Sequence, residues 1–151
     1  MPVLNQAGLL EIGPTTSYPG LTHAAPGSAP GEPEAFYPSG QRSYIRLMPA
    51  DDRQAAAGAA WAEQLGAQHV AVLQDGSRRG AVFAAAFAEA APSHGLELIG
   101  PPRQLDPDSA DYEALALELA QAADLVYLAM EDPTDLATLL FYFTVAGMLL
   151  T

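Results

Sequence analysis

From Asp51 onward the sequence alternates between helix-like and strand-like segments, and few architectures accommodate such an order. "DDRQAAAGAAWAEQLG", 51–66, opens with Asp51 and Gln54 at capping-box spacing, runs through alanines, Trp61 and Leu65, and stops at Gly66, a residue suited to the end of a helix. "HVAVLQD" is a short valine-rich run that predicts a buried strand. After the turn "GSRRG", "AVFAAAFAEAAPSHG" reads as a second helix closed by Pro92 and Gly95. A strand "LELIG", a loop "PPRQLDPD" and a third helix "SADYEALALELAQA" with Ser109 as its cap come next. "ADLVYLAM" is the third strand, and "EDPTDLATLL" begins a fourth helix with Asp132 as cap and Pro133 in its first position. This order implies right-handed crossovers and an α/β fold, a mostly parallel sheet with helices on both faces. In such sheets ligands sit outside the carboxyl ends of the strands, here "QDGSRRG" and "AMEDPT".

The first fifty residues read differently. Residues 3–12 form a strand-like apolar segment interrupted by Asn5, Gln6 and Gly8. Residues 13–42 contain six prolines and five glycines and few aliphatic side chains, which predicts an extended surface loop that buries little. A loop this long inside a compact domain either links domains or serves a site. "SYIRLMP", 43–49, alternates apolar and polar residues as a strand or hinge segment does. Where the first segment stops, at Gly13-Pro14, three hydroxyl residues follow at once: Thr15, Thr16 and Ser17. They form either a plain turn or the polar rim of a ligand site.

Composition removes several classes of function. Acids outnumber bases 18 to 6, a formal net charge of −12, which argues against a nucleic-acid partner and against electrostatic binding to anionic lipid. There is no cysteine, so disulfides, thiolate metal sites and cysteine nucleophiles are excluded. His23, His69 and His94 stand apart, without a second histidine or a carboxylate at helical metal spacing, and read as solvated surface side chains; no metal is expected. No basic segment followed by an apolar one opens the chain, so no signal peptide is visible. Neither a G-x-S-x-G elbow nor a G-x-x-x-x-G-K-[ST] phosphate loop is present, and Gly76 and Gly80 do not have dinucleotide spacing. Asp51-Asp52 and Glu131-Asp132 are accounted for by helix N-terminal electrostatics, although Glu131 also lies at the carboxyl end of a strand. Arg78 and Arg79 read as solvated turn residues with the capacity to meet a carboxylate. The closing stretch "LLFYFTVAGMLLT" is apolar on all sides yet shorter than the roughly 20 residues a membrane span needs, which predicts a helix buried against further protein.

Taken in order, the landmarks "IGPTTS", "LT", "YIRLMPADDRQ" and "DGSRRG" resemble the periplasmic leucine/isoleucine/valine-binding proteins, the type 1 solute-binding proteins of branched-chain amino acid ABC importers. The resemblance covers about residues 3–130. It implies two α/β lobes joined by hinge strands, with a small solute clamped between them. It places residues 1–42 in a partial first lobe, 43–49 in a hinge crossing and 50–151 in the opening half of a Rossmann-like second lobe. On this reading the chain is a fragment, belongs to a periplasmic or extracellular lipid-anchored protein, uses no cofactor, is not an enzyme, and works with the membrane subunits of an importer.

The resemblance also implies site residues. The segment after the first strand holds the α-carboxylate and α-ammonium of an amino acid, which maps onto Thr15 and Ser17. Two ligand-facing positions of the second lobe map onto Arg79 and Glu131. An arginine and a glutamate at those positions favour a polar or charged solute over leucine. Without the rest of the first lobe, the chain alone is expected to bind weakly. The competing expectation, from topology alone, is a Rossmann-like nucleotide-binding or enzyme domain.

Overall fold

In the computed structural model, residues 1–105, 111–131 and 136–145 are described. Asp51–Gln64 (α2) leads into β3, His69–Gln74; Arg78–Ala90 (α3) follows, then β4, Glu97–Leu98, and β5, Arg103–Gln104. Tyr112–Ala122 (α4), Leu125–Ala129 (β6) and Leu136–Val145 (α5) complete this part. All pairings are parallel: β6 lies along β3 from Val70 to Gln74, while β4 and β5 pair with opposite ends of β3. Because β6 takes one edge of β3, β4 and β5 share the other as one interrupted strand. The expected parallel α/β sheet is therefore present, with β5 as an addition inside the stretch read as loop.

Strand alternation sorts β3 between two cores. Val70 and Val72 join Ala55, Ala59, Ala84 and Phe87 on the face covered by α2 and α3. Ala71 and Leu73 join Leu115, Leu119, Leu139 and Phe143 on the face covered by α4 and α5. Period-two side chains with both faces buried explain why the middle of β3, residues 70–73, is apolar without interruption. Alanines at 55, 59 and 62 let α2 approach closely, and Gly58 accommodates the edge of the Tyr127 ring. Helix α5 buries Leu139 and Phe143 but leaves Phe141 and Val145 exposed, so the apolar stretch 139–145 is covered on one side; its continuation, 146–151, lies outside the described residues. No helix among the described residues is long and apolar enough to cross a membrane.

The first fifty residues depart from expectation in two ways. Residues 3–12 are not one strand: Pro2–Gln6 is a short helix (α1), and only Glu11–Gly13 (β1) is extended. Asn5 is the cause. It is buried, and its amide group donates to the Gln41 carbonyl and the Ser43 hydroxyl while its oxygen accepts from the Ser39 N–H. β1 pairs in parallel with β2, Tyr44–Arg46. Residues 13–42 are not a loop that buries little. They make two 3₁₀ turns, Pro19–Leu21 and Glu34–Phe36, and bury Ser17, Pro19, Glu32 and Tyr37. Internal partners permit this, including the Tyr37 hydroxyl, which donates to the Leu21 carbonyl.

Helix starts also shift. Ala50, not Asp51, is the N-cap of α2, and the Gln54 side chain donates to the Pro49 carbonyl instead of closing a capping box. α3 begins at Arg78 because the Ser77 hydroxyl accepts from the Gly80 N–H, so Arg78 and Arg79 lie in a helical first turn. Asp111 caps α4 by accepting from the Ala114 N–H. The caps expected at Ser109 and Asp132, and Pro133, lie outside the described residues.

Candidate functional site

The carboxyl ends of β1, β3 and β6 converge on one cleft of about 520 Å³. Thr15, Thr16 and Ser17 line it from one side; Arg78 and Arg79, in the first turn of α3, and Glu131, past the end of β6, line it from the other. All four residues expected to contact a ligand, Thr15, Ser17, Arg79 and Glu131, border this single space. Tyr18, Leu21, Phe36 and Asp51 border it too and were not anticipated.

The segment 15–17 is held through the Ser17 carbonyl, and its own N–H and hydroxyl donors have no partner among the described residues. Half-buried Arg46, at the end of β2, donates to the Ser17 carbonyl at 2.8 Å and the Tyr18 carbonyl at 2.9 Å. The Asp51 N–H, in the first turn of α2, donates to the same Ser17 carbonyl at 2.9 Å. Gly13 leaves room for the Tyr44 hydroxyl at the strand end, which a Cβ there would displace. Among the described residues, the hydroxyls of Thr15, Thr16 and Ser17 have no hydrogen-bond partner, and Ser17 is only 7 % exposed. The Ser17 oxygen is not among the sealed, unpartnered polar atoms, so it opens onto the cleft and is available to a ligand.

The opposite wall is organised by carboxylates. Asp75, just past β3, accepts the Ser77 N–H at 3.0 Å with Oδ1 and the Glu131 N–H at 2.7 Å with Oδ2, which ties the two strand tips together. Gly80 lets α3 settle onto them, because a Cβ there would strike Asp75 Oδ1 and the Ala129 carbonyl. This gives the "D-G-x-x-x-G" spacing a physical reason. Arg79 donates from Nε and Nη2 to Asp51 Oδ1, both at 3.4 Å, and its guanidinium lies 5.2 Å over the Phe83 ring. Asp51 is 1 % exposed and Arg79 41 %, so the pair presents its cation to the cleft. The Glu131 side chain is exposed at the rim.

A second cluster closes one end of the cleft. Arg78 donates to Glu32 Oε1 at 2.6 Å and to the Tyr18 hydroxyl at 2.8 Å, and stacks 4.2 Å over the Tyr18 ring. The Tyr18 hydroxyl also donates to Glu32 Oε2. Burial pushes the Glu32 carboxyl upward, but the Tyr18 hydroxyl, the Ala29 N–H and the Arg78 charge together hold it below its ordinary value of 4.5. The Tyr18 hydrogen bond, despite desolvation, holds Arg78 above its ordinary value. Glu32 could not be placed here from the sequence, because the path of the loop between 20 and 32 has no periodic signal.

The histidines are not plainly solvated. His23 shares a 3.0 Å contact with Asp52, His94 one of 2.7 Å with Glu63, and His69 lies 3.5 Å from Asp124. None borders the cleft, and no group of three metal-ligating side chains occurs among the described residues. A second cavity, about 460 Å³, lies at the interruption between β4 and β5, where Arg103 and Glu118 pair with each other at 3.2 Å.

The fold is one found in the substrate-binding proteins of ABC transporters. Two solved structures are similar to this chain: an ABC transporter substrate-binding protein from Desulfitobacterium hafniense, at 18% identity and a TM-score of 0.72, and an ABC transporter substrate-binding protein from Desulfitobacterium hafniense in complex with Leu, at 19% and 0.73. Each likeness covers 98% of this chain and 40% of the other, so the chain spans about 40% of the length of the structures it matches. At such identities the likeness shows the fold. No protein-family model and no curated protein matches the chain.

Proposed function

We propose that the chain is part of the substrate-binding component of an ABC transporter, and that it takes an amino acid or similar small polar solute into the cleft between Ser17 and Arg79. Residues 1–42 act as part of one lobe, 43–49 as a hinge crossing and 50–151 as part of the other. The protein performs no chemistry. A solute that touches both walls stabilises the closed arrangement and presents the loaded receptor to the membrane subunits of the importer, on the periplasmic or extracellular side.

One observation carries this reading. Three hydroxyls without a partner among the described residues, open to the cleft on a segment in which Ser17 is otherwise largely buried, face a cation and a carboxylate across one cleft. A zwitterion losing its water needs this complement of directed donors and acceptors. The open hydroxyls and main-chain N–H groups of 15–17 suit a carboxylate, and Glu131 suits an ammonium. The solved neighbour with Leu bound supports an amino acid as the solute class.

The test is thermal denaturation of the chain with millimolar amino acids, and separately with ATP and NAD. Stabilisation by at least one amino acid, and loss of that effect in Ser17→Ala, supports the reading. Stabilisation by a nucleotide and by no amino acid would assign the cleft to a nucleotide-binding domain instead. Micromolar affinity for a single amino acid by this chain alone would contradict the two-lobe division, because two partial lobes bury too little of a ligand.

A further inference from the structure

The charges around the cleft exceed what a simple zwitterion uses. The α-carboxylate has the donors of 15–17, and the ammonium has Glu131. Arg79 is left over. Both of its bonds to Asp51 are long and go to one oxygen, and its Nη1 makes no bond among the described residues. Arg78, next to it on the same wall, uses Nη2 for both its Tyr18 and Glu32 bonds. The chain has six basic residues against 18 acidic ones, yet two of the six sit side by side on this cleft. Asp51 and Glu131 border the same cleft and Glu32 pairs with Arg78, so it is the open edge of Arg79, not an excess of positive charge, that a further anion would meet.

We infer that the solute carries a second anionic group, and that Arg79 is the residue that selects it: the preferred ligand is an acidic amino acid, its side-chain carboxylate meeting the open edge of the Arg79 guanidinium. A planar guanidinium matches a carboxylate in a bidentate fork. The Phe83 ring beneath it and Asp51 behind it hold the plane toward the cleft. An aliphatic side chain in that position would desolvate the open edge of Arg79 and leave it only the long contacts to Asp51, which disfavours leucine.

This inference rests on the proposed solute-binding role, and its test separates the two. The ¹⁵N-labelled chain is titrated with L-glutamate, L-aspartate, L-glutamine, L-asparagine, glycine and L-leucine, and the amide resonances of Thr15, Thr16 and Ser17 and the Arg79 Nε–H resonance are followed. The expected result is about tenfold tighter binding of an acidic amino acid than of its amide, the size of one charge-assisted pair. The Arg79 Nε–H should move only with the acidic ligands. In Arg79→Gln the preference should fall to within about twofold, and Arg79→Lys should keep part of it. Should neither variant fold, the ranking in the unsubstituted chain decides. Binding of glutamine, asparagine or leucine at least as tight as that of glutamate and aspartate overturns the inference, while movement of the 15–17 resonances leaves the solute-binding role standing. If no amino acid moves them, the role itself fails and the inference with it.

Discussion

The carboxylate of Asp75 accepts the main-chain N–H of Glu131 at 2.7 Å across 56 residues of sequence. This bond fixes the spacing between the tip of β3 and the tip of β6, and with it the separation of Arg79 from Glu131. The same carboxylate holds the turn that starts α3 through the Ser77 N–H. Asp75→Ala removes both acceptors, and hydrogen bonds to a charged group are worth about 1.5–3 kcal/mol each before any rearrangement. The expected outcome is a loss of about 2–4 kcal/mol in urea denaturation, with the largest gain in amide exchange at residues 76–80 and 131. A loss under 0.5 kcal/mol would mean that the two tips are held by something else.

Glu32 makes stability depend on acid. Its carboxyl titrates below 4.5 when folded, because the Tyr18 hydroxyl, the Ala29 N–H and Arg78 together outweigh its burial. In the unfolded chain it titrates near 4.5. A lowered folded value means that the unfolded state takes up the proton first. The stability from Glu32 is therefore fully present above about pH 5 and is lost as pH falls through 4.5 toward the folded value. Denaturation midpoints at pH 7, 5, 4 and 3 should fall less steeply in Glu32→Gln than in the unsubstituted chain. Parallel curves would contradict the assignment.

Phe87 and Tyr127 stack at 3.9 Å between ring centroids and pin α3 to β6 beneath the cleft. Phe87 is fully buried, so Phe87→Ala should cost about 3–5 kcal/mol. That is a large share of the roughly 5–15 kcal/mol available to a domain. Burial, with a smaller contribution from the Asp51 charge, pushes the Tyr127 hydroxyl up to about 12 from its ordinary 10. A raised folded value means that the unfolded chain ionises first, so this contribution holds below pH 10 and disappears between 10 and about 12. Tyr127→Phe should retain stability in that alkaline window better than the unsubstituted chain, as read by denaturation at pH 8 and 11.

Much of the fold was readable from hydrophobic periodicity. β3 and β6 are valine- and leucine-rich runs between amphipathic segments, and their pairing follows from the alternation. What was not readable came from tertiary polar contacts. Asn5 folds an apolar run into a helix by bonding residues 34 to 38 positions away. The carbonyl held by Arg46 and the Asp51 N–H decides that Ser17 is buried, and no local signal announces it. β5 was hidden because two paired residues are too few to show a period. At the site, the resemblance pointed to Thr15, Ser17, Arg79 and Glu131. Asp51 looked like a cap, and Tyr18 and Glu32 lay in a loop whose path only long-range contacts define.

The most direct test of the account is whether the two walls of the cleft respond to one molecule together. Amide resonances of Thr15, Thr16 and Ser17 on one wall, and of Arg79 and Glu131 on the other, can be followed while a single amino acid is added. The account predicts that both sets shift in the same titration with one dissociation constant, and that Ser17→Ala weakens both equally. Shifts confined to one wall, or two different dissociation constants, would contradict it.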